Sequence, residues 1–385
     1  MDSKMRRALL YILFFSSVVT LAQDKKERVK VSMRDSLDGA FDMSDYLIYA
    51  HGFIAVPTII TEPAFGSFGG ALVPVFINKK DPYVNPETGK ITPVRPEITG
   101  ALGMYTANDS WATMAFRSGT FAKQGITYRA MAGYGSLNIS LYETLPEIGE
   151  QEFNFHFNTI PVYLQALKLL NNPKWSVGGK YFFLKTELSL PGGNLPEFIR
   201  NKEVNSITSQ LGGIVQYDDR DNIFTPDKGI RVQGSFFWSD NIIGSDFDSW
   251  RINYTVIGYK PITKKLIGGI RIEGTNVFGS PAFFLKPAVD LRGTAAGRYQ
   301  ANNTLVTEGE LRWDAYKRWS VMFFGGLGSA FDDYDQMFDK PLAYGYGTGF
   351  RYLIARKFKL RMGIDVAKGN EQWAYYIVFG SNWLR

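Results

Sequence analysis

Cysteine is absent from all 385 residues, and histidine occurs only at His51 and His156. Without thiols the chain has neither disulfide staples nor thiolate ligands, and two imidazoles leave few of the usual nitrogen ligands for a metal centre. Long apolar runs are missing too. Beyond the first two dozen residues the best is "GFIAVPTII", residues 52–60, which Pro57 interrupts and which is far short of the roughly 20 residues of a membrane-spanning helix. Strong charge is also lacking. The formal net charge is +6, and setting aside Lys4, Arg6, Arg7 and Asp2 leaves about +4, a mild bias that does not ask for a nucleic-acid partner. Catalytic constellations are equally thin: "FGSFGG" puts Ser67 in a Gly-rich stretch without a Gly-x-Ser-x-Gly elbow, and neither histidine has a placed acid, so a barrel lipase or protease has no support.

What is present points to export. "MDSKMRRALLYILFFSSVVTLAQ" opens on Lys4, Arg6 and Arg7, runs through apolar residues from Ala8, and reaches the small residues Thr20 and Ala22 before Gln23. This is the order of a secretory signal peptide cleaved after Ala22, and it sets residues 1–22 apart from the fold. Residues 23–65 read as a short periplasmic segment. In it "QDKKERVKVSMRDS" looks charged and disordered, and "AFDMSDYLIYAHGF" forms a short amphipathic helical turn with Phe41, Tyr46 and Leu47. The segment either plugs a lumen, lies at a membrane surface or contacts a partner.

From about Gly66 the dominant signal is alternation with period two over stretches of about ten residues. In "VTEGELRWDA", residues 306–315, Glu308, Glu310, Arg312 and Asp314 share one face, and Leu311, Trp313 and Ala315 the other. The same holds for "GIRIEGT" and "LRMGIDV". A soluble antiparallel sheet also alternates, so other features must select the environment. Aromatic residues make up 15% of the chain and glycines number 39, which suits strands, turns and an aromatic belt. Tight connections at 107–109, 170–173 and 355–358 interleave with long ones at 78–96, 190–204 and 277–303, the asymmetry of periplasmic turns and extracellular loops. The chain closes on "QWAYYIVFGSNWLR", whose Trp373, Tyr375, Ile377, Phe379 and Trp383 fall on one aromatic outer face.

The expectation is an all-β fold, a sixteen-stranded antiparallel transmembrane β-barrel over residues 66–385. Strands are predicted near 66–77, 97–107, 111–120, 126–134, 137–143, 152–168, 174–189, 205–217, 230–239, 249–260, 265–276, 304–315, 320–331, 343–354, 359–367 and 373–383. The even count agrees with bacterial barrels and includes a division at "GYGS".

Several stretches then resemble the bacterial surface-antigen superfamily, the barrels of outer-membrane assembly and translocation factors of the BamA and TamA types. "YDDRDNIFTPDKG", with Asp218, Arg220, Asp221, Asn222, Pro226 and Gly229, resembles its periplasmic turn. "LRGTAAGRYQ", with Arg292 and Gly293, resembles its Arg-Gly loop, and "GELRW" the Glu-x-Arg strand after it. "GTGFRYL…KLRMGIDVAKG…WAYYIVFGSNW", with Arg361, Asp365 and Trp383, resembles its closing strands. The likeness covers the chain from about residue 205, while "GFIAVPTIITEPAFGSFGGALVPVF" is similar to the Pro-rich lead-in and first strand of short members. The sequence departs from the pattern at Thr294, where an aromatic residue is usual, and at Gly326, where an acid is usual. Residues 23–65 also leave no room for a periplasmic polypeptide-transport-associated domain.

The resemblance implies a non-enzymatic protein of the bacterial outer membrane that assists insertion or translocation of proteins. It implies contacts with outer-membrane lipid, lipopolysaccharide and client β-barrel proteins, and with a second copy or another outer-membrane or periplasmic protein. No cofactor and no nucleic acid is expected. Arg292 should fold into the lumen and pair with Glu308 or Glu310, the resemblance favouring Glu310, as a latch that Thr294 and Gly326 leave looser; the alternative is a solvated loop. Gly69, Gly70 and Pro74 should weaken a seam between first and last strands, or Pro74 is simply tolerated at an edge. The acids of 218–229 read better as a self-paired turn than as a cation site. A pore for small solutes or lipid, and a scaffold for an outer-membrane complex, are the competing functions.

Overall fold

The computed structural model describes residues 31–49 and 52–383 except 67, 79, 85, 87, 88, 90, 93, 95, 146–148, 191–195, 197, 340 and 341. Residues 1–30, which include the expected signal peptide, and His51 and Ser67 lie outside the described residues.

The first strands are β1 (Gly52–Ile60), β2 (Gly69–Asn78), a two-residue ladder of β3 (Tyr83–Val84) with β4 (Ile91–Thr92), β5 (Glu97–Thr106), β6 (Trp111–Phe121) and β7 (Ile126–Leu145). The middle of the chain forms β8 (Gly149–Leu169), β9 (Trp175–Ser189), β10 (Asn205–Asp218), β11 (Gly229–Ser239), β12 (Ser249–Pro261) and β13 (Leu266–Gly279). The last strands are β14 (Asn303–Tyr316), β15 (Trp319–Phe331), β16 (Ala343–Ala355), β17 (Leu360–Gly369) and β18 (Trp373–Phe379). Apart from β3 and β4, all pair with their neighbours in one antiparallel sheet of sixteen strands, a nearly closed barrel.

Outward positions carry the apolar set. Leu311, Trp313, Phe323, Leu327, Tyr375 and Phe379 are exposed on the wall, whereas Glu308, Glu310 and Arg312 between them are buried in the lumen. Such an arrangement inverts a soluble sheet and suits a barrel whose solvent outside is lipid.

The strand count of sixteen holds through two compensating differences from the expectation. The sheet begins at β1, inside the stretch assigned to the periplasmic segment. Thr58 is the only polar side chain among its nine residues, so no alternation marks it, and Pro57 is tolerated because β1 stands at the sheet edge. The division at "GYGS" does not exist. β7 runs unbroken, paired from Ile126↔Lys168 to Leu145↔Gly149. A Cβ on Gly133 would lie 2.6 Å from the Thr113 carbonyl oxygen, so that glycine answers close backbone approach and makes no turn. Merging the two strands also moves the 78–97 connection to the same end as the 218–229 turn, and the 106–111 turn to the end of the long 279–303 loop, so connection length does not sort the two ends throughout.

At the long-loop end the lumen is filled. Phe155 and Phe157 of β8 pack with Leu141, Leu188 and Ile199, and Phe283 and Phe284 of the 279–303 loop close over them. The loop is drawn inward because these inward-facing apolar side chains would otherwise meet water. On the opposite surface, Leu311→Arg would put a cation in the lipid-facing band. It is expected to destabilise the barrel by about 2–4 kcal/mol in urea titrations in bilayers.

Candidate functional site

Arg292 lies at the tip of the inward-folded loop, with 2% side-chain exposure. Its Nε donates to Glu308 Oε1 at 2.6 Å, its Nη1 to Asp365 Oδ2 at 2.9 Å and its Nη2 to Glu310 Oε2 at 3.4 Å. The guanidinium plane stands over the Phe324 ring, 3.6 Å from its centroid. Both acids named from sequence are therefore present, but Glu308 is the close partner and Glu310 the distant one. Asp365, expected only in the closing strands, supplies the third carboxylate. Two further arginines complete the network: Arg271 pairs with Glu308 at 3.2 Å, and Arg351 grips Asp365 with two hydrogen bonds of 2.6 and 2.8 Å. Arg271 stands opposite Glu308 in the β13–β14 register, so lumen parity plus strand pairing was the available signal for it.

The wall is cut to receive this tip. Gly293 adopts φ +93°, a left-handed conformation natural to glycine, and its N–H donates to the Tyr376 hydroxyl at 2.9 Å. A Cβ on Gly345 would fall 2.0 Å from the Arg292 carbonyl oxygen, and one on Gly369 2.2 Å from that of Gly293. A Cβ on Gly326 would meet Leu291 Cδ1 at 2.7 Å. Leu291 of the loop packs where a side chain at 326 would stand, and Asp365 supplies the third carboxylate. Thr294 turns back through its N–H to the Leu291 carbonyl at 3.0 Å, and the aromatic contact that residue 294 lacks comes from Phe324.

Trp383 does not join the outer aromatic face. The wall strand stops at Phe379, and the chain turns through Gly380, at φ +77°, into the lumen. There Trp383 packs with Ile257, Tyr259 and Ile267 and donates its indole N–H to Glu308 Oε2 at 2.6 Å. A large amphipathic ring finds both an apolar wall and an acceptor inside, which the lipid face does not offer. Arg361 stays apart from the Arg292 network, bonded to Ser320 Oγ at 3.2 Å and Asp314 at 3.3 Å.

At the other end the 218–229 turn reaches beneath the barrel. Arg220 forks onto Asp218 at 2.8 and 2.7 Å, Asn222 caps the N–H groups of Phe224 and Thr225 at 2.8 Å, and Gly229 at φ +106° lets the backbone cross Arg220. The pairing is only partly internal. Lys359 of the β16–β17 turn donates to both Asp221 and Asp227, at 2.8 and 2.7 Å, and Arg312 also reaches Asp227 and the Pro226 carbonyl. Phe224 accepts from the Ser381 N–H at 2.7 Å, tying the turn to the inward tail.

The N-terminal segment docks on neighbouring turns. Arg318, between β14 and β15, is held by Asp35 at 2.6 Å, Asp38 at 2.7 Å and Asp42 at 2.7 Å, with the carbonyls of Phe41 and Leu353 sharing Nη1 with Asp42. The Arg318 fork holds the Asp38 carboxyl well below the usual carboxylate range. Burial lifts that of Asp42, but hydrogen bonds from Ser44 and Arg318 outweigh it and bring it down to about 2. The described part, residues 31–49, lies on the barrel's own turns, a placement that was not among the three left open from sequence.

β1 and β18 are the two ends of the sheet order, and among the described residues no ladder joins them. Gly69, Gly70 and Pro74 sit on β2, paired on one side to β1 and on the other to β5, so they are not at the seam. The cause of the shift is the unrecognised strand β1, whose own Pro57 lacks a donor. Near the seam, Glu62 of the β1–β2 connection accepts from the Ala296 N–H of the Arg292 loop at 3.0 Å.

The Omp85 superfamily domain matches residues 152–380. BamA from Haemophilus ducreyi lacking POTRA domains 1-3 is similar in fold, with a TM-score of 0.57 at 12% identity over 85% of this chain and 69% of that one. CdiB from Escherichia coli gives 0.58 at 10% identity over 84% of this chain. CdiB from Acinetobacter baumannii gives 0.54 at 12% over 86%. The chain spans 61% and 59% of the lengths of the two CdiB chains. No curated protein sequence matches.

Two outcomes follow from this geometry. Arg292→Ala, which leaves Glu310 without its cation and Glu308 and Asp365 with only Arg271 and Arg351, is expected to lower the unfolding free energy by about 3–5 kcal/mol. Arg292→Lys, which keeps the charge but loses the fork, should fall between it and wild type in the same titration. For the N-terminal clamp, the lowered Asp38 and Asp42 carboxyls stabilise docking fully above the usual carboxylate range, and that contribution is lost as pH falls through about 2. A nitroxide at Leu37→Cys should report an ordered segment from neutral pH into the mildly acidic range and a mobile one only near the acid limit. In Arg318→Ala it should be mobile throughout.

Proposed function

The chain belongs to the Omp85 superfamily, and from that premise we propose that it assists insertion of proteins into the outer membrane, or their passage across it, through the seam between β1 and β18. The observation that carries this reading is the missing ladder between those two strands in a sheet whose other neighbours are all paired. Unpaired backbone N–H and C=O groups at the edge of a lipid-embedded sheet are costly, and a client strand satisfies them by β-augmentation. Nothing in this scheme requires bond chemistry, so the protein acts without being an enzyme.

In this reading the Arg292 loop is the latch that keeps the lumen closed while the wall opens. Its burial, its three carboxylate partners and the glycine-lined seat support the role. The N-terminal clamp on Arg318 and the Glu62–Ala296 hydrogen bond hold the seam region at its two ends. Clients are unfolded or partly folded barrel proteins. A periplasmic protein or a second copy delivers them at the turn end, with membrane lipid and lipopolysaccharide as the surroundings. The filled lumen weighs against a wide passive pore.

Cells depleted of the protein should lose other barrel proteins from the outer membrane; unchanged levels would sink the insertion reading. A short bifunctional maleimide joining Ala55→Cys in β1 to Ile377→Cys in β18 should abolish complementation, whereas each single variant should complement. In planar bilayers the wild type should conduct weakly, and Arg292→Ala should conduct more.

A further inference from the structure

Insertion through the seam needs no bond chemistry, but the outer wall at the long-loop end carries groups of another kind. Phe155 and Phe157 of β8 and Leu137 of β7 pack in the lumen, so by alternation Ser136, Asn138, His156 and Asn158 face outward. They stand in two register pairs, Ser136↔Asn158 and Asn138↔His156. The imidazole reaches both β7 side chains: its Nδ1 lies 2.8 Å from Asn138 Oδ1 and its Nε2 3.4 Å from Ser136 Oγ.

What holds Asn138 sets the protons of this row. β6 reaches up only to Trp111, opposite Ser136, and beyond it the 106–111 turn is the neighbour of β7. There Asn138 Nδ2 donates to the Asn108 carbonyl at 2.7 Å, Asn108 Nδ2 returns a bond of 2.7 Å to the Asn138 carbonyl, and the Asn138 N–H donates to Ser110 Oγ at 2.8 Å. With its amide nitrogen directed at a carbonyl, Asn138 offers His156 its oxygen. Nδ1 therefore carries the proton, and Nε2 presents a lone pair to the Ser136 hydroxyl. A serine beside the basic nitrogen of an imidazole whose other nitrogen is held by a third group is the arrangement of nucleophile, base and orienting residue. The 3.4 Å separation is loose, as such pairs are without a substrate. A sequence motif built on an acid misses this set, because the orienting group is an amide.

We propose that Ser136 and His156 hydrolyse the carboxylic ester of a glycerophospholipid on the outer wall of the barrel, with Asn138 as the positioning residue. The height of the row gives the substrate class. Along the outward face of β8, Leu164 and Ile160 are exposed and apolar, and the polar side chains begin at Asn158. Trp111 and Tyr134, both exposed and with ring centroids 5.4 Å apart, mark the same level on β6 and β7. Such aromatics sit where acyl chains meet headgroups, the level of the lipid esters.

In the reaction Ser136 Oγ bonds to the acyl carbon while its proton passes to His156 Nε2. Asn158, whose Oδ1 accepts from the Tyr134 hydroxyl at 3.3 Å, supplies amide N–H donors to the developing oxyanion. The proton then moves to the glycerol oxygen as the bond from that oxygen to the acyl carbon breaks. A water gives a proton to Nε2 and attacks the acyl-serine, the fatty acid leaves, and Oγ recovers its proton. One ester and one water thus become one acid and one alcohol. The row lies on β7 and β8, away from β1 and β18, so it does not depend on the seam reading.

The test uses the full barrel in mixed micelles of nonionic detergent and dioleoyl phosphatidylglycerol. It reads fatty-acid release and, by mass spectrometry, the residue labelled by a fluorophosphonate probe. Wild type should release fatty acid and carry the label on Ser136. Ser136→Ala should lose both, and His156→Gln should lower release by about 100-fold or more. Asn138→Ala should lower release as well. Asn138→Asp, whose carboxylate still accepts from Nδ1 but cannot donate to the Asn108 carbonyl, should recover most of that loss, which a role confined to supporting the turn would not produce. Heat-shifted gel mobility reports that each variant remains a folded barrel. No label on Ser136, or release from Ser136→Ala equal to that from wild type, would overturn the proposal.

Discussion

The Arg292 guanidinium, almost wholly withdrawn from water, is the constraint on which the rest of this barrel's interior is arranged. A buried cation is tolerable only with partners of opposite charge and satisfied hydrogen bonds. Here the partners come from two strands far apart in sequence, Glu308 and Glu310 on β14 and Asp365 on β17. Arg271 and Arg351 then share those carboxylates, and Trp383 donates to Glu308 Oε2, the oxygen that Arg271 also faces. The loop, the wall and the C-terminal tail are consequently one hydrogen-bonded unit. The glycines at 345 and 369 are part of it, because only bare backbone lets the loop approach closely enough for the guanidinium to reach all three acids.

The same unit bears on the seam. The tail that carries Trp383 leaves the wall after Phe379, which shortens β18 to seven residues and removes backbone that an adjoining strand would need. On the other side β1 has nine residues and a proline. A short edge meeting a proline-containing edge has few ladder positions to gain, although each strand is paired along its full length to its inner neighbour, β1 to β2 and β18 to β17. The Arg318 cage works at the turn end through ion pairs, and Glu62 at the loop end through a single hydrogen bond.

Much of the site was legible in short motifs. Alternation puts Glu308 and Glu310 inside, the family resemblance implied that Arg292 folds in to meet them, and the turn residues from Asp218 to Gly229 stood out by that resemblance together with their Asp, Asn, Pro and Gly chemistry. Asp365 and Trp383 were visible as individual residues, but their meeting with Arg292 was not. Their strands come together with β14 only when the sheet curves round the lumen. Arg318 was missed for a similar reason. Its three aspartates precede it by more than 270 residues, and nothing in a basic turn says which acidic segment will find it.

By itself the sequence determined the all-β class of the fold, because period-two alternation is a property of each segment alone, while the outward placing of the apolar set had to be argued from the aromatic content, the connection lengths and the family resemblance. It determined the even number of strands only by cancellation: an edge strand without alternation went unseen, while glycines that mark close packing looked like a turn. Tertiary structure alone decided which strands form the seam, which way Trp383 faces and which carboxylates hold Arg292. Those outcomes depend on the register and closure of sixteen strands, and a local pattern carries the parity of a side chain but not the identity of what stands across the lumen.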